Sequence, residues 1–355
     1  MLGQCPVSAL GLDLRGAMNY YRPLDNTMNT SKARLLDVDT AKGLTIMLVV
    51  LGHITTYSHY PIGNDWYMGF KDVVYKFHMA FFFYLAGITY CISWQNKMDY
   101  RFYKNFVVKK ISKFLPSYLL ITVIVIFGKV VGNYLGLYID NNPTSIIDIL
   151  RVFYDPKHSV IGFLWFMYTL LQIYLLSLML FMVTDNGIVF LVITFALGLL
   201  PMTSFMGLDY LCSFLKYFAI GYFVYDHYDY YLSLIDRYSL LVIVAFLLLL
   251  LISYRLKVSI LVISLFSLPA LHATVRSIRF SWLSALSKLG KYSYTIYLLH
   301  MIFMGIAKAI IMKIVPFGGN CFPFIVVILT LVGLTFPIYF KEVLLIRSKT
   351  LYSMF

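Results

Sequence analysis

The sequence predicts an all-α, polytopic transmembrane helical bundle of about ten spans, with both termini in the cytoplasm. Three observations carry that expectation. Hydrophobic residues fill 61% of the 355 positions and charged residues only 13%, about half the charge of an ordinary soluble domain. Apolar runs of roughly 20 residues, each able to cross a hydrocarbon core of about 30 Å, recur along most of the chain. The 29 Lys and Arg residues give a net charge of +13. Most of them fall between the apolar runs, where orientation signals belong, and not in a patch suited to nucleic acid.

Taken in order, residues 1–33 mix Gly, Pro and Asn without a charged-then-apolar leader pattern, and read as a disordered cytoplasmic extension in which Met28 is an alternative start. A membrane domain over 34–345 opens with spans at 42–60 and 72–94. The segment 97–113 (KMDYRFYKNFVVKKISK) alternates basic and apolar residues, which suits a helix lying at the inner interface. Its lysines either anchor orientation or help to bind a phosphorylated cytoplasmic cofactor. A span at 114–132 precedes the polar loop 133–159, where selectivity for a substrate is expected. Spans at 160–183, 187–206 and 208–225 follow, joined by turns at Asn186-Gly187 and Pro201–Gly207. The stretches 239–254 and 256–272 are either two spans or one re-entrant pair, because Arg255 and Lys257 fall on the outer side against the trend of the other cations. Spans at 291–314 and 322–341 lead to a short cytoplasmic tail, 346–355.

Ionisable residues inside spans are costly and therefore functional candidates. The acidic residues fall at span ends, in loops or in tails, which weighs against an ion-coupled transporter. A transporter or flippase for a lipid-linked saccharide stays as the alternative to an enzyme, with a regulatory membrane partner behind it. The four cysteines show no metal or redox spacing, so no metal is expected, and Cys91, Cys212 and Cys321 read as packing residues. Histidines are what the spans bury. His53 lies about 16 Å and His300 about 14 Å from the inner boundary, with His78 entering from outside, so all three reach the mid-membrane region. His59, His158, His227 and His272 read as residues of loops or span ends.

In the first span, Lys42 and His53 fall within about 20° of one helix face, and Asp39 within about 40° of it. Asp39, Lys42 and His53 thus form a polar stripe running inward from the cytoplasmic mouth. Its bland reading is a helix-start signal, a snorkelling anchor and one packed histidine.

The stretch RLLDVDTAKGLTIMLVVLGH (34–53) resembles the first-span signature of the membrane acyltransferase superfamily, acyltransferase family three. In that signature a basic residue next to Gly is followed by a His after ten intervening residues, and here Lys42, Gly43 and His53 match. Ala-Lys-Gly in place of Leu-Arg-Gly is similar to the fucose 4-O-acetylase-like, polysaccharide O-acetyltransferase branch. FHMAFFFYLAG (77–87) is similar to the second signature, with Ala80 where Pro is usual and Ala86 where Ser is usual. Leu164-Trp165-Phe166 and LGKYSYTIYLLH (289–300) are weaker echoes in the same order.

That resemblance implies an O-acetyltransferase that uses acetyl-CoA as a donor substrate, binds no cofactor tightly, and modifies a cell-envelope glycan such as O-antigen, capsule or exopolysaccharide at a bacterial inner membrane. It implies His53 as base or transient acyl carrier, with His78 and Asp39 catalytic. Lys42 and Arg34 would contact acetyl-CoA, and Trp165 and His300 the glycan or lipid-linked saccharide. A hydroxyl is a poor nucleophile until its proton is removed, and an imidazole, with an ordinary pKa near 6.5, suits that work.

Overall fold

The computed structural model describes residues 35–55, 63–93, 100–137, 139, 141–183, 186–277 and 281–355. The extension 1–33 and Arg34 lie outside them. Among the described residues the chain is helical and contains no strand. Six helices among the described residues are long and apolar enough to cross a membrane. They fall in α4 (Tyr100–Tyr134), α6 (Trp165–Val183), α9 (Tyr228–Arg255), α10 (Ile260–Ser277), α12 (Ser293–Ile311) and α13 (Phe322–Tyr339). The other helices are α1 (Leu36–Gly52), α2 (Asp65–Tyr75), α3 (His78–Ser93), α5 (Ile146–Tyr154), α7 (Gly187–Leu197), α8 (Leu208–Asp226), α11 (Ser281–Lys291) and α14 (Lys349–Met354).

Two span expectations change and one open alternative is decided. The single span expected at 72–94 is two helices, α2 and α3, broken at Lys76–Phe77. The break leaves backbone groups to satisfy, and the Ser264 hydroxyl on α10 donates to the Lys76 carbonyl at 2.8 Å. The segment 97–113 is not a separate interfacial helix, since from Tyr100 onward it continues into the span as one helix, α4. The 239–272 region takes the two-span alternative and not the re-entrant pair. It is an antiparallel pair, α9 and α10, each of spanning length. Of the cysteines read as packing residues, Cys91 and Cys212 are buried but Cys321 is exposed.

Helix α3 forms the middle of the bundle. It is apolar all round, with Phe81, Phe83, Leu85 and Ile88 fully buried, as a helix enclosed by others must be. Its contact with α8 is backbone to backbone: a Cβ at Gly87 would lie 2.1 Å from the Phe218 carbonyl oxygen, and one at Gly221 2.0 Å from that of Tyr84. Small residues at such crossings are how membrane helices approach closely. By contrast α9 presents Leu240, Leu241, Leu247, Leu248 and Leu251 outward, a patch that suits lipid and not water.

The described residues of the polar connection before α6 are held by side-chain bonds. Ser145 caps α5, and Asp148 accepts from the Thr144 hydroxyl and amide and from the Ser145 amide, which holds its carboxyl down at about 2. The Lys129 ammonium donates to the Val160 carbonyl at 2.7 Å. At the other end of the chain, α14 packs back on the bundle. Ser117 on α4 donates to the Met354 carbonyl and Thr295 on α12 to that of Phe355.

Candidate active site

Helix α1 stops at Gly52, and His53 follows in a non-helical conformation. A helix end leaves its last carbonyls without N–H partners. Here those carbonyls are met by side chains. The His53 ring turns back and its Nδ1–H donates to the Val49 carbonyl at 2.7 Å. From α2, the Tyr67 hydroxyl donates to Leu51, the Tyr75 hydroxyl to Gly52 at 2.9 Å, and the Lys71 ammonium to Thr55 at 2.6 Å. The three donors are four residues apart on one face of α2, the spacing that aligns side chains along a helix.

His78 repeats the device. It opens α3 just after the break, and its Nδ1–H donates to the Val74 carbonyl at 2.7 Å. His300, inside α12, has Nδ1 at 2.7 Å from the Tyr297 carbonyl and 3.0 Å from that of Ile296. A carbonyl can only accept, so in each neutral ring the proton sits on Nδ1 and the Nε2 lone pair is bare. Each imidazole is therefore held in the tautomer a base or nucleophile requires, with a backbone carbonyl in the orienting role that a carboxylate often fills.

The three histidines form a chain of ring contacts, with Tyr75 between His53 and His78 and with His300 against His53. The rings of His53 and His300 lie 5.2 Å apart in edge contact, His53 lies 6.3 Å from Tyr75, and Tyr75 lies 5.0 Å from His78. His78 and His300 are buried and His53 is half-buried. Lys71, buried at 3% exposure, holds its ammonium 5.1 Å from the Tyr75 ring. Neither Lys71 nor Tyr75 was among the residues singled out from sequence, although the recurrence of polar groups at 67, 71 and 75 is a visible signal.

On one side of this centre lies a cavity of about 490 Å³. Lys42, Lys109, Lys110 and Lys113 line it together with Asn105, while Phe166 and Tyr297 line it too. The lysines cluster on α4 and on the first turns of α1. Two of them are steadied by aromatic faces, Lys110 at 4.1 Å over Tyr174 and Lys113 at 4.6 Å over Tyr294. Tyr297, whose hydroxyl donates to the Phe163 carbonyl at 2.6 Å, lies 6.2 Å from His300. The cavity wall and the histidine centre thus share a border at Tyr297. His53 itself is not part of the wall.

The remaining candidates are separated from the centre. Asp39 is buried where α1 crosses α11, with its carbonyl oxygen 1.7 Å from where a Cβ on Gly290 would be. It does not line the cavity, so the stripe predicted on α1 splits at its inner end. Trp165 packs tilted against Tyr210 at 4.4 Å and Phe214 at 5.3 Å. Arg34 lies outside the described residues.

Sequence reasoning also passed over His272. It is fully buried in α10, not a span-end bystander. Its Nε2 lies 3.4 Å from Asp37, and its Nδ1 faces the hydroxyls of Tyr231 at 3.2 Å and Tyr84 at 3.4 Å. Tyr228 and Arg276 also reach Asp37, and Arg276 forms a two-pronged pair with Asp236. This network ties the start of α1 to α9 and α10.

A family model described as an acyltransferase domain matches residues 35–341. No curated protein and no solved structure matches the chain.

Proposed function

The chain belongs to the membrane acyltransferase family three, and on that footing we propose that it moves an acetyl group from cytoplasmic acetyl-CoA to a hydroxyl of a cell-envelope glycan in a bacterial inner membrane. The observation that carries this reading is the border between the lysine-lined cavity and the histidine centre at Tyr297. A phosphorylated nucleotide suits the cluster of Lys42, Lys109, Lys110 and Lys113, because ammonium groups bind phosphate as point charges. A long flexible arm could then carry a thioester past Phe166 and Tyr297 to the histidines.

At the centre His53 is the reacting residue. Its bare Nε2 takes the hydroxyl proton of the acceptor or first takes the acyl group. His78, held by the same tautomer-fixing contact and joined to His53 through Tyr75, supports the site. Lys42, eleven residues before His53 on α1, holds donor phosphate or the thioester oxygen. Surrounding apolar helices exclude bulk water and so limit hydrolysis of the donor. The glycan comes from the opposite side, where residues of the 133–159 connection and Trp165 are available to contact it.

Membranes containing the protein, incubated with radiolabelled acetyl-CoA, test the proposal. Label deposited in an alkali-labile ester on a glycan is the expected result. A flippase would leave all label in the donor, and mass spectrometry of surface glycans from a deletion strain would then show altered chain export with acetylation unchanged.

A further inference from the structure

One buried atom of the centre has no assigned work. His300 is 0% exposed, its Nδ1 side is taken up by the Ile296 and Tyr297 carbonyls, and its Nε2 makes no hydrogen bond among the described residues. Buried acceptors are rarely left unpaired, because water has been lost and nothing replaces it. Direct transfer from thioester to hydroxyl needs a single base. This centre offers two imidazoles of the same tautomer, 5.2 Å apart.

We propose that His53 and His300 divide a two-step transfer, with His53 carrying the acyl group and His300 acting as the base that activates the acceptor. The proposal rests on the acyltransferase reading above. In the first step the Nε2 lone pair of His53 attacks the thioester carbon. A C–N bond forms, the C–S bond breaks, and its electron pair leaves with sulfur as a thiolate in the cavity. A thiolate is stable enough to leave without a proton, so no acid is required there. In the second step the acceptor hydroxyl attacks the acyl carbon while His300 Nε2 removes its proton. The ester C–O bond forms, the C–N bond breaks, and the lone pair returns to His53. The thiolate freed in the first step takes its proton from water, and the proton on His300 returns to water after the ester has formed, so that thioester and alcohol have become ester and thiol.

The second imidazole stands between His53 and the cavity wall at Tyr297, so its proton has a route out through the cavity. It also removes the need for donor and acceptor to be held together. The acyl group waits on His53, just beyond α1, after the donor has left.

The test uses the full chain in membranes depleted of glycan acceptor, with acetyl-labelled CoA. The wild type is expected to release one equivalent of thiol per chain and to hold label at His53, removable by neutral hydroxylamine and cleared when acceptor is restored. His300→Gln is expected to keep the thiol burst and the label but to lose transfer roughly 10²-fold, the typical contribution of a general base. His53→Gln is expected to lose both. The proposal is overturned if acceptor-starved wild type carries no label at His53, or if His300→Gln transfers at the wild-type rate. Wild-type membranes that never pass label to a glycan would instead sink the underlying acyltransferase reading.

Discussion

The Tyr75 hydroxyl donates to the Gly52 carbonyl at 2.9 Å, joining α2 to the last residue of α1 just before His53. With Tyr67 it closes a helix end that would otherwise leave its carbonyls unpaired in the membrane, while Lys71 holds the Thr55 carbonyl just beyond it. Tyr75→Phe keeps the ring beside His78 and removes only the hydroxyl. One hydrogen bond contributes about 1 kcal/mol, so acetyl transfer should fall about 5- to 10-fold while the protein accumulates normally. Rates from membranes matched by immunoblot would check this, and an unchanged rate would show that α2 does not position His53.

Lys71→Met should have a larger effect. It removes both the bond to Thr55 and a buried cation beside the centre, and charge-assisted bonds contribute about 1.5–3 kcal/mol. A loss of roughly 10- to 100-fold in kcat/KM is expected, with Lys71→Arg recovering part of it.

His53→Ala should abolish acetylation, a loss of at least roughly 10²-fold, with the protein still present in the membrane. Retained activity in a radiolabelled-acetyl transfer assay would remove His53 from the chemistry and leave the bundle without its reacting group.

Lys42 lines the cavity, and its substitution should separate donor binding from chemistry. Lys42→Ala should raise KM for acetyl-CoA by roughly 10-fold or more through loss of a charge-assisted contact, whereas Lys42→Arg should remain substantially active. If Lys42→Ala changes only the membrane orientation of the N-terminus, as read by protease accessibility, Lys42 is an anchor.

Gly43 is required for a packing reason. A Cβ there would stand 1.9 Å from the Leu286 carbonyl oxygen on α11, and backbone cannot yield as a flexible side chain can. Gly43→Ala should cost about 1–3 kcal/mol, the usual range for overpacking. The detergent-solubilised protein should unfold at a lower temperature in a thermal-shift assay, and an unshifted midpoint would show that α1 and α11 can separate without loss.

By itself the sequence determined the class and much of the centre. Apolar run length dictated helices that cross lipid, because backbone polar groups in hydrocarbon must be paired within the chain. The spacing of Lys42, Gly43 and His53, with His78 and His300 downstream, named three imidazoles at similar depth. Only the tertiary structure decided that Tyr75 links His53 to His78 and that His300 meets His53, that α2 breaks from α3, that Lys71 is buried beside them and that His272 belongs to Asp37. Those facts depend on side chains bonding to carbonyls and carboxylates of other helices. Periodicity along one helix reports which face is buried, and it carries no information about which partner on another helix will be there.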